Sequence, residues 1–167
     1  MKTALLTPAL LIAALGSAVV PLPALAAPSE ATLNAINGAR SEYQAARKAI
    51  DAEDWKAALA ALKRAERLDP YSAEIQNQIG FTLRQKGEFD LAVKHYFRAL
   101  DLDPYHRGAH EYLGRAYLHL GQPEKAKELL VKLESLCTSK CPERDLLKRA
   151  IDEWDPWQRP MRVGRFY

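Results

Sequence analysis

The sequence predicts an all-α protein, an α-solenoid of about three helix–turn–helix repeats closed by a C-terminal capping helix. Three observations predict it. Leu68-Asp69-Pro70-Tyr71 returns 34 residues later as Leu102-Asp103-Pro104-Tyr105. The same shift relates Ala58, Ala92 and Ala126, then Leu62, Tyr96 and Leu130, and it carries Gly87 onto Gly121. Within each period the apolar residues keep helical spacing: Ala92, Tyr96 and Ala99 stand at i, i+4 and i+7 and share one face.

Composition agrees and narrows the function. A chain of 167 residues has room for one ordinary domain. With 48% hydrophobic and 27% charged residues it is globular, not disordered. A formal charge of +3 is too small to imply nucleic acid, and no nucleic-acid partner is expected. Two cysteines cannot build a disulfide-rich scaffold or a four-thiolate metal site.

Residues 1–26 read as a signal peptide. No charged side chain occurs from Thr3 to Ser29, Lys2 supplies the positive start, and Ala9 to Val20 forms the apolar stretch. Pro21 and Pro23 then break the helix ahead of Ala24-Leu25-Ala26, the small-x-small pattern of a cleavage site. Cleavage is expected after Ala26, with no integral membrane segment left behind. The chain is therefore expected to be exported, periplasmic or secreted. In an oxidising compartment Cys137 and Cys141 are expected to form a structural disulfide.

The mature chain divides by its period. Residues 27–38 form a leader and 39–72 a divergent first unit, with Ala45, Ala46 and Ala49 in its first half. In the second unit, 73–106, the pattern predicts a helix over Gln76 to Lys86, a break at Gly87, and a helix over Glu88 to Leu102 stopped ahead of Pro104. The third unit is 107–140. Over 141–154 the register continues, but Lys148 replaces Gly80 and Gly114, which suits a solvated face. Pro142 to Trp154 therefore reads as the capping helix, with the cysteine pair stapling the turn before it. The tail, 155–167, interleaves Trp157, Phe166 and Tyr167 with Arg159, Arg162 and Arg165, while Pro156 and Pro160 deny it a helix.

No catalytic constellation is visible. His110-Glu111 begins like a zinc-protease motif, but no second His follows, and His95, His106, His110 and His119 read as surface residues. Phosphate-binding glycine loops and nucleophile elbows are missing, and Cys137-x₃-Cys141 has the wrong spacing for a redox pair. The expectation is a protein that is not an enzyme, with no cofactor, no metal and no small-molecule substrate.

The repeat resembles the tetratricopeptide repeat, a 34-residue helix–turn–helix with the pattern W-x₂-L-G-x₂-Y…A-x₃-F…P. The second unit matches through Ile79-Gly80, Leu83, Ala92, Tyr96, Ala99 and Pro104, and the third through Leu113-Gly114, Tyr117, Ala126 and Leu130. The first matches through Ala58, Leu62, Ala65 and Pro70. The resemblance implies a right-handed solenoid whose first helices line a concave groove for an extended peptide or partner helix. By register it places Arg40, Tyr43 and Arg47 in that groove from the first unit. Glu74, Asn77, Phe81 and Arg84 come from the second, and Glu111, Arg115 and His119 from the third. The family's Lys and Asn clamp for a terminal carboxylate is not supported, since this set holds one Asn and no Lys. Recurring arginines with aromatic rings between them suit a protein or peptide ligand of acidic character. The functional expectation is an exported adaptor or scaffold. The alternative is an accessory or maturation subunit of an envelope enzyme or secretion complex, docking through its tail.

Overall fold

The computed structural model of the chain describes residues 27–154. The expected signal peptide and the basic-aromatic tail lie outside the described residues. Among the described residues there are seven helices: α1 Glu30–Asp51, α2 Trp55–Leu68, α3 Ala73–Gln85, α4 Phe89–Leu102, α5 Arg107–His119, α6 Pro123–Leu136 and α7 Pro142–Asp152. The starts and ends of α2, α4 and α6 repeat at 34 residues, as do those of α3 and α5. No helix among the described residues is long and apolar enough to cross a membrane.

The boundaries follow from local chemistry. Ser72 Oγ accepts from the Ile75 N–H at 3.3 Å, so α3 begins at Ala73, ahead of the expected Gln76. Asp54 caps α2 in the same way, accepting from Ala57 N–H at 2.9 Å. Residues 30–38, expected as a leader, are the first turns of α1, capped by Ser29 through Thr32 N–H at 3.2 Å. Pro123 and Pro142 open α6 and α7, where no amide N–H is needed. After α3 and α5, Gly87 (φ 80°) and Gly121 (φ 71°) turn the chain through the left-handed region. Glu53 stands in the same register of the first unit and adopts φ 54° without the freedom of glycine. The hydrogen bonds Asp54 N–H to Ala49 O, Glu88 N–H to Leu83 O and Gln122 N–H to Tyr117 O repeat the closure unit by unit.

Helices pair as α1 with α2, α3 with α4, and α5 with α6, and each pair stacks on the next through α2–α3, α4–α5 and α3–α5. A continuous core runs through Ala46, Leu62, Ile75, Ile79, Leu83, Ala92, Tyr96, Leu113 and Ala116. Burying side chains of this size contributes roughly 1.5–3 kcal/mol for each of the larger ones. Close approach depends on two glycines. A Cβ on Gly80 would lie 2.6 Å from the Tyr96 ring, and one on Gly114 would lie 2.6 Å from Leu147.

Helix α7 packs on α5 and α6, and its exposed Lys148 pairs with Asp152 at 2.7 Å on the outer face. Trp154 holds the end of α7 down by donating its indole N–H to Leu118 O at 3.0 Å. Cys137 and Cys141 are joined, bridging the turn from α6 to α7.

Candidate functional site

The first helices α1, α3 and α5 bring the expected groove residues to one side of the stack, but they sort into two clusters with different chemistry. In the first, Glu74 at the start of α3 is a hub. Tyr43 of α1 donates its hydroxyl to Glu74 Oε1 at 2.6 Å, and Gln78 Nε2 donates to the same oxygen at 2.8 Å. Glu74 Oε2 lies 3.0 Å from His106 Nε2. Burial opposes ionisation of Glu74, but the bonds from His106, Tyr43 and Gln78 outweigh it and hold the carboxyl down at about 2. Burial and then Glu74 push Tyr43 up to about 12.

His106 has a second task that fixes its tautomer. It occupies the helix-cap position that Ser72 holds one unit earlier, and its Nδ1 accepts from Ala109 N–H at 3.2 Å. In the neutral ring the proton therefore sits on Nε2, aimed at Glu74. Hydrogen bonding to that carboxylate raises His106 above its ordinary value. Glu74 is thus occupied in joining α1, α3 and the start of α5. Expected in the groove, it also ties the repeats together, with its side chain 43% exposed.

The second cluster lies between α3 and α5. Phe81 meets Trp55 edge-on at 6.2 Å and Tyr112 at 5.2 Å. Arg84 is 4% exposed and Glu111 2%, so both of these register-assigned groove positions are buried. The Arg84 guanidinium carbon stands 5.4 Å from the Phe81 ring centre and 5.8 Å from that of Tyr112. Arg115 donates to Glu111 Oε1 at 3.0 Å. His119 stacks on Phe89 at 4.5 Å, and burial, then the charges of Arg84 and Arg115, push it down to about 4. Asn77 is 2% exposed, its amide against Gly108.

Arg40 and Arg47 remain exposed on α1, and neither makes an ion pair among the described residues. Arg47 lies beside the Tyr43 hydroxyl.

The remaining histidines are packed as well, contrary to the expectation of surface residues. His110 is 6% exposed and donates Nε2–H to Pro104 O at 3.0 Å. His95 closes a ring of four side chains. Its Nδ1 bonds Gln76 Oε1 at 2.8 Å, Gln76 Nε2 donates to Glu66 Oε1 at 2.8 Å, and Lys63 Nζ lies 3.1 Å from Glu66 Oε2 and 3.5 Å from His95 Nε2. Sequence reasoning missed Trp55, Tyr112 and His106 as part of this side of the molecule. Tyr112 follows Glu111 directly, and an aromatic beside a groove position was a usable signal.

Comparison with known proteins bears on this arrangement. Two family models, each described as "Tetratricopeptide repeat", match residues 43–106 and 83–135. The Arabidopsis OM64 TPR domain superposes with a TM-score of 0.65 at 14% identity, covering 71% of this chain and 97% of that one. The second TPR of Spaghetti (RPAP3), bound to HSP90 peptide SRMEEVD, superposes with a TM-score of 0.62 at 21% identity, covering 65% of this chain and all of that one (100%). The Homo sapiens protein O-mannosyl-transferase TMTC3 is 26% identical over 96 residues, or 58% of this chain. That match spans 10% of the transferase's length.

Proposed function

The chain belongs to the tetratricopeptide-repeat family, and from that premise we propose that it is an exported, periplasmic or secreted adaptor without catalytic activity, holding an extended acidic segment of a partner protein on its α1–α3–α5 side. The observation that carries this reading is the presence of exposed cations and a cluster of rings on the first helices α1, α3 and α5. Arg40 and Arg47 are exposed and make no ion pair among the described residues, Arg47 lies against the Tyr43 hydroxyl, and Phe81 and Tyr112 pack together on α3 and α5. Arginine forks onto carboxylates and stacks on rings, so an acidic segment with apolar residues between its acids fits both. The Spaghetti domain, which holds the peptide SRMEEVD on the same fold, supports the reading. Export rests on the charge-free stretch and the Ala24-Leu25-Ala26 site.

Two measurements test it. Intact mass of the exported protein should begin at Ala27, and a species retaining residues 1–26 counts against export. Arg47→Glu should weaken binding of an acidic peptide about tenfold and flatten its salt dependence. Lys127→Glu, on the outer helix α6 where Lys127 pairs with Glu124, should change little. If Arg47→Glu binds like the wild type while truncation after Trp154 abolishes binding, the tail is the recognition element and the repeats are its platform.

A further inference from the structure

Arg84 breaks the repeat in a way the fold does not require. The same register position is Ile50 in the first unit and Leu118 in the third, and Leu118 packs in the core at 7% exposure. An aliphatic side chain therefore serves the architecture. In the second unit the position holds a cation that is 4% exposed. Among the described residues its Nε is buried without a hydrogen-bond partner, although the guanidinium lies close to the buried Tyr96 hydroxyl. Glu111 is near enough for its charge to interact with Arg84, yet its carboxylate is hydrogen-bonded to Arg115. Arg84 reaches that carboxylate through its charge alone. Leaving a buried cation short of acceptors is costly. The rings of Phe81 and Tyr112 offset part of that cost but accept none of the fork's strong hydrogen bonds.

We infer that Arg84 is the seat for a single acidic side chain of the bound segment, whose carboxylate enters beside the Phe81 and Tyr112 rings and accepts from its unpartnered Nε–H. This rests on the reading of the α1–α3–α5 side as the groove for an acidic segment. The acid is an internal side chain, not a chain end. Arg84 lies in the middle of the stack, with α1 on one side and α5 and α7 on the other, so a bound segment continues past it in both directions.

The test uses the mature chain and a deca-glutamate peptide blocked at both ends, with binding followed by calorimetry and folding by thermal melting. Arg84→Leu, which restores the residue type of the flanking units, should melt at or above the wild-type temperature while affinity falls at least about tenfold. Arg84→Lys, which keeps the charge and loses the fork, should fall between. A collapse of the melting temperature in Arg84→Leu makes Arg84 a structural residue and overturns the inference. Wild-type affinity in Arg84→Leu, with loss in Arg47→Glu, overturns the seat and leaves the groove standing. A wild-type chain that ignores the blocked peptide overturns both. Binding only to a deca-glutamine peptide with a free terminal carboxylate assigns the site to chain ends and overturns the internal seat.

Discussion

The Tyr43 hydroxyl reaches across from α1 to donate to Glu74 Oε1 on α3 at 2.6 Å, while the other oxygen of Glu74 meets the ring that caps α5. One carboxylate thereby sets how three successive first helices stand relative to each other. Removing the hydroxyl in Tyr43→Phe leaves Glu74 with Gln78 and His106. The loss should be about 1 kcal/mol, read as a lowered urea midpoint with an unchanged slope.

The same hub predicts a pH dependence. Glu74 is held at about 2, below its ordinary 4.5, so its contribution is present above pH 4.5 and is lost as the pH falls towards 2. His106 is raised above 6.5, so its contribution is present below that value and is lost as the pH rises through the raised value. The stability difference between the wild type and Glu74→Gln should therefore be largest between about pH 4.5 and 6.5 and shrink on both sides. Urea midpoints across that range check it. A difference that does not vary with pH counts against the hub.

Glu53 offers a stabilising change. It carries φ 54° where the other units place Gly87 and Gly121. Glu53→Gly relieves left-handed strain and should raise stability by about 0.5–1 kcal/mol, after the added chain entropy of glycine. Gly87→Ala and Gly121→Ala should lower it, and melting temperatures of the three variants decide the matter.

At Gly80 the opposite sign holds. An added Cβ would meet Tyr96 ring atoms at 2.6–3.0 Å, and Tyr96 is fully buried. Gly80→Ala should cost about 1–3 kcal/mol despite better helix propensity. Gly114→Ala should cost less, because its neighbour is the flexible end of Leu147.

Replacing Cys137 and Cys141 by Ser should lower stability by about 2 kcal/mol, the chain-entropy value for so short a loop, and leave peptide affinity nearly unchanged. Loss of binding in a folded double variant would give the pair a role beyond the turn.

The architecture was legible because the period is carried by residues that bury. Ala58, Ala92 and Ala126 are each fully buried where an outer helix meets its partner, so the 34-residue shift fixed the pairing. The early start of α1 was not legible from the period, because Leu33 and Ile36 have no counterparts in the later units and are about half exposed. Ser29 followed by Glu30 was the available signal. The candidate site was half legible. Register put Tyr43 on α1 and Phe81 and Arg84 on α3, where the structure has them, but Tyr112 reaches Arg84 from another helix, which no local pattern encodes. The tie at Glu74 was hidden for the same reason, since its partners Tyr43 and His106 lie 31 and 32 residues away in sequence.

In an array whose units touch only their neighbours, heat ordinarily peels the ends away first. The ring of Lys63, Glu66, Gln76 and His95 works against this, because its members come from the outer helix of one unit and both helices of the next. If the first unit frayed, Gln76, fully buried, would lose its acceptor, and Lys63 and Glu66 would be withdrawn from His95. The first two units are therefore coupled into one cooperative block, and hydrogen exchange should show α1 to α4 opening together, with α6 and α7 free to open earlier.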